Sequence, residues 1–130
     1  MIIDSSALIS ICKREPDWDF YAKALDASGP VSMSAASYLE TSIVLDSLGD
    51  PVASTRFDQI LLDARIAIEP VTPEQARIAR QAYRDYGKGS GHPAQLNFGD
   101  CFSYALAREK REPILFKGED FVHTDLRPAV

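Results

Sequence analysis

The sequence predicts a single α/β domain with a central parallel sheet of four to five strands and helices on both faces. Short apolar runs such as Ile2-Ile3 alternate with longer amphipathic stretches, an order typical of strand–helix units in parallel sheets. The length of 130 residues suits one domain, and 45% hydrophobic with 25% charged residues is ordinary for a globular protein. No repeat or linker divides the chain, so residues 1–130 are expected to form one unit.

The first half of the chain begins with the strand Ile2-Ile3, which is β-branched and apolar. Ala7, Leu8 and Ile11 then follow the i, i+1, i+4 spacing of a helix face. The next predicted elements are a helix that begins near Pro16 and ends before Gly29-Pro30, a strand over 31–34, and helices over 35–48 and 51–65.

The second half adds a strand candidate over 66–71 and a helix with a strong start signal. Thr72 is the expected N-cap, Pro73 the first helical residue and Gln75 the third residue of a capping box. The remaining predicted elements are the end of that helix near Tyr86, a flexible loop over 88–93, a helix over 99–110, a strand over 114–116, a turn at Gly118 and an edge strand over 124–126.

The net charge of −5 argues against a broad, passive nucleic-acid binder, since phosphate binding usually leaves a basic footprint. A nuclease stays open, because carboxylates loaded with a divalent metal become locally positive toward phosphate. Cys12 and Cys101 are far apart and are interpreted as free core thiols. With no apolar run long enough for a bilayer and no secretory signal, a cytoplasmic location without membrane contact is expected.

Asp4 is the most informative residue, because a carboxylate between two apolar runs would cost several kcal/mol or more if buried unpaired. It lies where a strand ends and a helix begins, and open α/β sheets bind ligands at that edge. Either Asp4 or Ser5 simply caps the helix, or Asp4 belongs to a site and leaves the cap to Ser5 or Ser6.

Three further acidic positions share this setting: Glu40 in the helix after the second strand, Asp100 in the first turn of an apolar helix, and Glu119-Asp120 after the last strand. Asp100 alone could also be a charge favoured by the helix dipole. In a parallel sheet these positions converge at one edge, where mutual repulsion raises their pKa values unless a cation neutralises them. Oxygen ligands without histidine favour Mg²⁺ or Mn²⁺, and paired ions of this kind support phosphodiester cleavage by water.

Four segments bear a family resemblance that extends over essentially the whole chain: 3–8, 37–41, 96–107 and 115–121. Together they resemble the PIN domain family, and more closely the VapC toxins of bacterial toxin–antitoxin pairs. The resemblance implies a Mg²⁺- or Mn²⁺-dependent endoribonuclease that inhibits translation, with transfer RNA as a candidate substrate. It also implies a VapB-type antitoxin that neutralises the toxin and a homodimer within their complex. The acidic pI of this chain assigns any DNA contact to the antitoxin.

Residue by residue, Asp4, Glu40 and Asp100 match the family's three core acids and are the expected metal ligands. Ser6 matches the small hydroxyl residue that supports the first acid, and Asn97 matches a polar residue shortly before the third. On this basis, water attacks the phosphorus in line and leaves a 3′-hydroxyl on one fragment and a 5′-phosphate on the other.

The fourth acid is where this chain departs from the family pattern. Many relatives have an aspartate at the position of Gly118. Glu119 or Asp120 is expected to substitute, with a slight preference for Asp120 as the catalytic residue. The alternative is a site that binds its second metal only when substrate is present.

Two surfaces are candidates for partners. Arg77, Arg80 and Arg84 share one helix face at spacing i, i+3, i+7, and Lys88 follows in the next loop. They form either a solvated face or a strip that guides RNA toward Asp100, to which Lys13, Arg14 and Lys117 could add. The second helix presents Trp18, Phe20, Tyr21 and Leu25, which belong either to the core or to an antitoxin groove.

Two other functions stay open from the sequence. Asp4 after an apolar strand also suits the nucleophile of a metal-dependent phosphatase or phosphotransfer domain, although Ser6 replaces the second aspartate of the usual Asp-x-Asp pattern. The other alternative is a non-catalytic subunit of a DNA-binding repressor complex.

Overall fold

The computed structural model describes residues 1–130, which form a four-stranded parallel sheet and six helices. In chain order the elements are β1 (Ile2–Ile3), α1 (Ser5–Lys13), α2 (Trp18–Asp26), β2 (Ser32–Ser34), α3 (Ala35–Ser47), α4 (Pro51–Asp63), β3 (Ala67–Glu69), α5 (Pro73–Tyr86), α6 (Phe98–Lys110) and β4 (Ile114–Leu115). The predicted fold class is confirmed.

The strand order β3-β2-β1-β4 places β1 between β2 and β4. The chain leaves β1 toward β2 and β3 and returns on the other side as β4, so the strand order reverses beside β1. A crevice for ligands forms at such a switch point, outside the carboxyl ends of the strands. Asp4 follows β1 directly and therefore lies in this crevice.

The two faces of the sheet are covered by different helices. Ile3 and its neighbour Leu115 face a core shared with α1, α2, α3 and α4, in which Phe57 is buried. Ile2 and its neighbour Ile114 face a second core shared with α5 and α6. This alternation follows from the two-residue period of a strand, and it confirms helices on both faces.

The predicted helix starts agree with the structure in most details. Thr72 caps α5, where its Oγ1 accepts a hydrogen bond from the Gln75 amide (3.1 Å), and Pro73 is the first helical residue. The Gln75 side chain does not complete the capping box; its Nε2 donates to Glu109 on α6 instead (2.9 Å). The Gln75 side chain thus bonds to α6 and not to the backbone at the start of its own helix.

The predicted edge strand over 124–126 is wrong. Thr124 Oγ1 donates to the Phe121 carbonyl (2.8 Å), and Tyr104 donates to Asp125 (2.6 Å), so this segment is held in a turn. Sheet pairing resumes only at Pro128, where the Ile114 amide donates to the Arg127 carbonyl (3.0 Å). The strand candidate over 66–71 is also shorter than expected and covers Ala67–Glu69.

Both cysteine thiols are free and buried, Cys12 in the first core and Cys101 in the second. Burial raises the pKa of Cys12 to about 12 and that of Cys101 to about 11, which keeps both protonated at neutral pH. None of the six helices is long and apolar enough to cross a membrane.

Candidate active site

Asp4 is both the N-cap of α1 and a buried acid at the sheet edge, with 3% of its surface exposed. Its Oδ2 accepts hydrogen bonds from the amide (3.0 Å) and the hydroxyl (2.6 Å) of Ser6. Its Oδ1 accepts a bond from the Ser103 hydroxyl on α6 (2.6 Å). The cap and the site are therefore one residue, which corrects the expectation that Ser5 or Ser6 takes the cap.

A chain of buried hydroxyls supports the Asp4 carboxylate. Ser103 uses its single proton toward Asp4, so Ser37 on α3 is the donor in the 3.0 Å contact between the two serines. Ser6 Oγ accepts a bond from the Lys117 amide (3.0 Å), two residues after the end of β4. Asp4 is thus tied to α1, α3, α6 and the end of β4, and its orientation is fixed by several donors.

Glu40 lies half-buried on α3, where its Oε1 accepts a bond from the Ser5 hydroxyl (2.6 Å). Its other oxygen packs against Gly99 at the start of α6. A Cβ atom at Gly99 would lie only 2.2 Å from Glu40 Oε2. Gly99 is therefore required for the close approach of this carboxylate to the neighbouring helix.

Asp100 is the third residue of α6 and forms a capping box with Asn97. Asn97 Oδ1 accepts a bond from the Asp100 amide, and Asp100 Oδ2 accepts one from the Asn97 amide, both at 3.0 Å. Burial raises the pKa of Asp100 to about 7; the Asn97 amide opposes this rise, and the charges of Asp4 and Asp120 add to it. Asp100 thus lies in the first turn of α6, where the helix dipole favours a negative charge, and it is also close to the other acids.

Of the two candidates for the fourth acid, the structure brings Asp120 to the cluster. Asp120 is half-buried, and its carboxylate lies close enough to Asp100 for its charge to raise the pKa of that residue. Glu119 is exposed, and its side chain makes no hydrogen bond or ion pair. Gly118 has a φ of 102°, so the turn that presents Asp120 uses a backbone conformation that favours glycine.

The cluster of Asp4, Glu40, Asp100 and Asp120 contains no basic side chain that neutralises it. None of the four acids takes part in an ion pair. Crowded carboxylates without a protein cation fit a divalent metal, and an all-oxygen donor set suits Mg²⁺ or Mn²⁺. As the side chains are oriented, no three of them form a group that could hold an ion, so binding requires some of them to turn.

The predicted RNA strip is exposed but only partly close to the cluster. Arg77, Arg84 and Lys88 face solvent, and Arg77 pairs with Glu74 (3.3 Å). Arg80 lines a groove between α5 and α6 that also includes Phe98, two residues before Asp100.

The expected additions to this strip from strand ends are partly engaged elsewhere. Lys117 Nζ contacts Glu15 (3.1 Å) and Asp17 (2.8 Å), and the Arg14 guanidinium lies 3.7 Å from the centre of the Trp18 ring. Lys117 is thus neutralised by two carboxylates and is not a free cation for RNA.

The sequence did not single out Ser37, Gly99 or Ser103 as site residues. Ser103 had a signal, because it lies three residues after Asp100 on the buried face of an otherwise apolar helix. Ser37 and Gly99 had none, since their roles depend on contacts between α3 and α6, which are about 60 residues apart in sequence.

Two apolar surfaces flank the domain. A groove of 190 Å³ between α1, α2 and α4 is lined by residues such as Leu25 and Ile60, with Asp26 and Asp63 among them. A second groove of 420 Å³ runs between α3 and α6 beside Glu40. The α3–α6 patch consists of Leu39 (58% exposed), Ile43 (59%), Phe98 (79%) and Phe102.

The aromatic residues of α2 divide between core and surface. Tyr21 and Leu25 are buried in the first core, Trp18 is half-buried, and Phe20 is 55% exposed. Core packing thus accounts for two of the four residues, and only Phe20 is left largely free for a partner.

The PIN domain family model matches residues 1–126, and the chain belongs to this family. Ribonuclease VapC28 of Mycobacterium tuberculosis is 55% identical over 130 residues, which cover 100% of this chain and 98% of that protein. Ribonuclease VapC42 of the same organism is 48% identical over 129 residues, with 99% and 98% covered. These full-length relationships place the chain among the VapC ribonucleases.

Solved structures agree on the fold. The crystal structure of Mycobacterium tuberculosis VapC20, described as a sarcin-ricin loop cleaving toxin, has a TM-score of 0.72 at 20% identity and 98% coverage of both chains. A toxin–antitoxin complex from Klebsiella pneumoniae has a TM-score of 0.70 at 17% identity, with 95% of this chain and 92% of that chain covered. Both likenesses extend over nearly the whole domain.

Proposed function

We propose that this protein is the toxin of a VapBC-type pair and acts as a Mg²⁺- or Mn²⁺-dependent endoribonuclease that inhibits translation. The observation that supports this most is the cluster of four carboxylates, without any ion pair, at the switch point of a PIN-domain sheet. Full-length identity to VapC ribonucleases supports the same reaction class.

Asp4, Glu40 and Asp100 would hold the metal, with Asp120 as the fourth acid. Asp4 and Asp100 are fixed by several hydrogen bonds, whereas Glu40 accepts one, from Ser5, and Asp120 is half-buried, so these two would be the acids that turn toward an ion. A bound divalent ion supplies Lewis acidity toward phosphate and water. Ser6 and Asn97 orient the acids beside them, and Glu119 is not needed for that arrangement.

RNA would approach along α5, where Arg77, Arg80, Arg84 and Lys88 offset the acidic net charge locally. Arg80 is the best placed of these, because it borders the groove that also includes Phe98, two residues before Asp100. The RNA substrate is either transfer RNA, as the family resemblance implies, or the ribosomal loop named for VapC20. Sequencing the 5′-phosphate ends of cleaved RNA after induced expression distinguishes the two.

The antitoxin would neutralise the toxin by docking on an apolar groove. The groove between α1, α2 and α4 fits an amphipathic segment with basic residues beside its apolar face, since Asp26 and Asp63 lie in its lining. A second copy of the chain would cover the α3–α6 patch, which contains four large apolar residues beside Glu40. DNA contact would then belong to the antitoxin.

The experiment is cleavage of an RNA substrate by purified protein in Mg²⁺ or Mn²⁺, with and without EDTA. Asp4→Asn and Asp100→Asn should each lower kcat more than roughly a hundredfold, since even outer-shell residues of metal sites typically contribute 10–100-fold. Asp58→Asn is the matched control, because Asp58 is exposed on α4 and its side chain makes no bond. Full activity of the Asp4 variant, or activity that EDTA leaves unchanged, would overturn the proposal.

The phosphatase alternative is less compatible with the residue two positions after Asp4. That position holds Ser6, whose hydroxyl donates to Asp4 Oδ2 (2.6 Å), and not the second aspartate of the usual Asp-x-Asp pattern. The non-catalytic alternative predicts no metal-dependent cleavage in the same assay.

A further inference from the structure

Lys117 is the first polar residue after β4 and touches two separate parts of the molecule. It lies between Phe116, which packs edge-to-face on buried Phe121 with ring centres 5.2 Å apart, and Gly118. Its backbone contacts the acidic cluster, and its side chain contacts the connection between α1 and α2.

The backbone contact leads directly to Asp4. The Lys117 amide donates to Ser6 Oγ (3.0 Å), and the same oxygen donates its proton to Asp4 Oδ2 (2.6 Å). Because the amide occupies a lone pair of Ser6 Oγ, it directs the hydroxyl proton toward Asp4. The position of this amide therefore influences the orientation of the carboxylate.

The side-chain contact is a three-residue ion-pair cluster. Lys117 Nζ lies 3.1 Å from Glu15 Oε1 and 2.8 Å from Asp17 Oδ1. Asp17 Oδ1 also accepts a bond from the buried Ser10 hydroxyl (2.8 Å), which anchors the cluster to α1. About a third of the Lys117 side chain is exposed, so the pairs add little to stability but define where the turn lies.

We propose that Lys117 is a positioning residue for the RNA-cleavage reaction. Its ion pairs with Glu15 and Asp17 hold the turn that brings Asp120 to Asp100, and they hold the amide that orients Ser6 toward Asp4. This inference rests on the proposed function of the acidic cluster. The competing role is direct contact with RNA phosphate, in which the two carboxylates only compete for the ammonium group.

The two roles predict opposite effects when the carboxylates are removed. If Lys117 positions the turn, the double variant Glu15→Gln/Asp17→Asn lowers kcat, as does Lys117→Met. If Lys117 binds RNA, the double variant frees the ammonium group and lowers KM, whereas Lys117→Met raises KM. Lys117→Arg retains both possible ion pairs and should recover most of the kcat lost in Lys117→Met.

The matched control is Lys110→Met. Lys110 Nζ pairs with Glu69 (3.3 Å), and its side chain is 32% exposed, as is that of Lys117, but it lies at the far end of α6 from Asp100. The measurements are kcat and KM for one RNA oligonucleotide at saturating Mg²⁺, with the thermal midpoint Tm of each variant. Asp4→Asn is included in the same series.

We expect kcat to fall about tenfold in Lys117→Met and in the double variant, the lower end of typical outer-shell effects, with KM within about twofold. The two methionine variants should have similar Tm values, and Lys110→Met should cleave as the wild type. Unchanged kcat, opposite KM shifts, or an equal loss in Lys110→Met would overturn the inference. If Asp4→Asn cleaves RNA at the wild-type rate, the proposed site itself is wrong. If Asp4→Asn is inactive but Lys117→Met cleaves at the wild-type rate, the site stands and only the positioning role of Lys117 is wrong.

Discussion

At position 99 the stability of the helix and the position of Glu40 favour different residues: the helix favours alanine, whereas the close approach of Glu40 requires glycine. Helix positions favour alanine over glycine by about 1 kcal/mol, so Gly99→Ala should leave the free energy of unfolding unchanged or slightly higher. The added Cβ would lie 2.2 Å from Glu40 Oε2, and the flexible Glu40 side chain must swing away from the cluster. We expect metal-dependent RNA cleavage to fall at least about tenfold, the scale of misplaced groups in metal sites.

Gly29→Ala is the control for this substitution, since nothing lies within 4 Å of a Cβ at Gly29 and its φ is not positive. Cleavage rates and thermal melts of both variants are compared with the wild type. A Gly99→Ala protein that is as active as the wild type would show that the position of Glu40 does not matter for the reaction.

Asp100 should make the stability of the metal-free protein dependent on pH. Its pKa is raised to about 7 by burial and by Asp4 and Asp120, whereas an unfolded aspartate titrates near about 3.9. Between these two values the folded state binds the proton more tightly, so stability falls as pH rises from about 4 to about 7 and stays low above that. A cation at the cluster would relieve this loss.

Asp100→Asn retains an oxygen for the Asn97 cap but removes the charge. In EDTA, the variant should exceed the wild type in unfolding free energy at about pH 8 by on the order of 4 kcal/mol, and match it near about pH 4. Urea unfolding at both pH values measures the difference, and Asp58→Asn serves as the reference. Equal pH profiles for wild type and Asp100→Asn would contradict the shifted pKa.

The acids of the site could be predicted from the sequence because each has a local signature. Asp4 and Glu40 follow strand ends or lie in a helix that leads away from one, and Asp100 lies in the first turn of the apolar helix that leads into β4. Ser37 and Gly99 have no such signature, because a serine or glycine acquires its role only from the helix that packs beside it. Asp120 could be preferred over Glu119 only weakly, since the difference depends on the course of the turn after β4.

Helices were predicted more accurately than strands, because the helix starts have local sequence signals and the strands do not. The starts of α4, α5 and α6 are marked by Asp50, Thr72 and Asn97, whose side chains accept bonds from the first turn. The strands are only two or three residues long, so neighbours in space determine them. At 124–126 the bond from Tyr104 to Asp125 decided against a strand, and nothing near that segment in sequence indicates it.

The α3–α6 patch should determine the oligomeric state. Leu39 and Ile43 are each more than half exposed, and covering them with a second copy would remove apolar surface from water. We expect the wild type to be a dimer and Leu39→Lys/Ile43→Lys to be a monomer with nearly unchanged Tm, since exposed substitutions typically alter stability by less than about 0.5 kcal/mol.

Light scattering after size-exclusion chromatography measures the masses. Leu62→Lys is the control, because Leu62 on α4 is 72% exposed but lies outside the α3–α6 patch. A wild type that is monomeric at high concentration, or a double variant that stays dimeric, would rule out this interface.

The sheet order explains how residues 4, 40, 100 and 120 meet although they span nearly the whole chain. Parallel strands bring their carboxyl ends to one edge, so the general location of the cluster follows from the fold class. The hydrogen bonds that orient each acid do not follow from it, since they require the registers of helices on both faces.

The pairing of β1 with β4 has a consequence for synthesis. The Asp4 amide donates to the Leu115 carbonyl (2.9 Å), and Ser6 receives its bond from Lys117, so the first acid is held by a segment that is made 111 residues later. Domains fold as their chains emerge, N-terminal parts first, at about 5–20 residues per second. A nascent chain therefore has no complete cluster until residues 115–120 have left the ribosome, so the enzyme cannot act on RNA before that stage of its own synthesis.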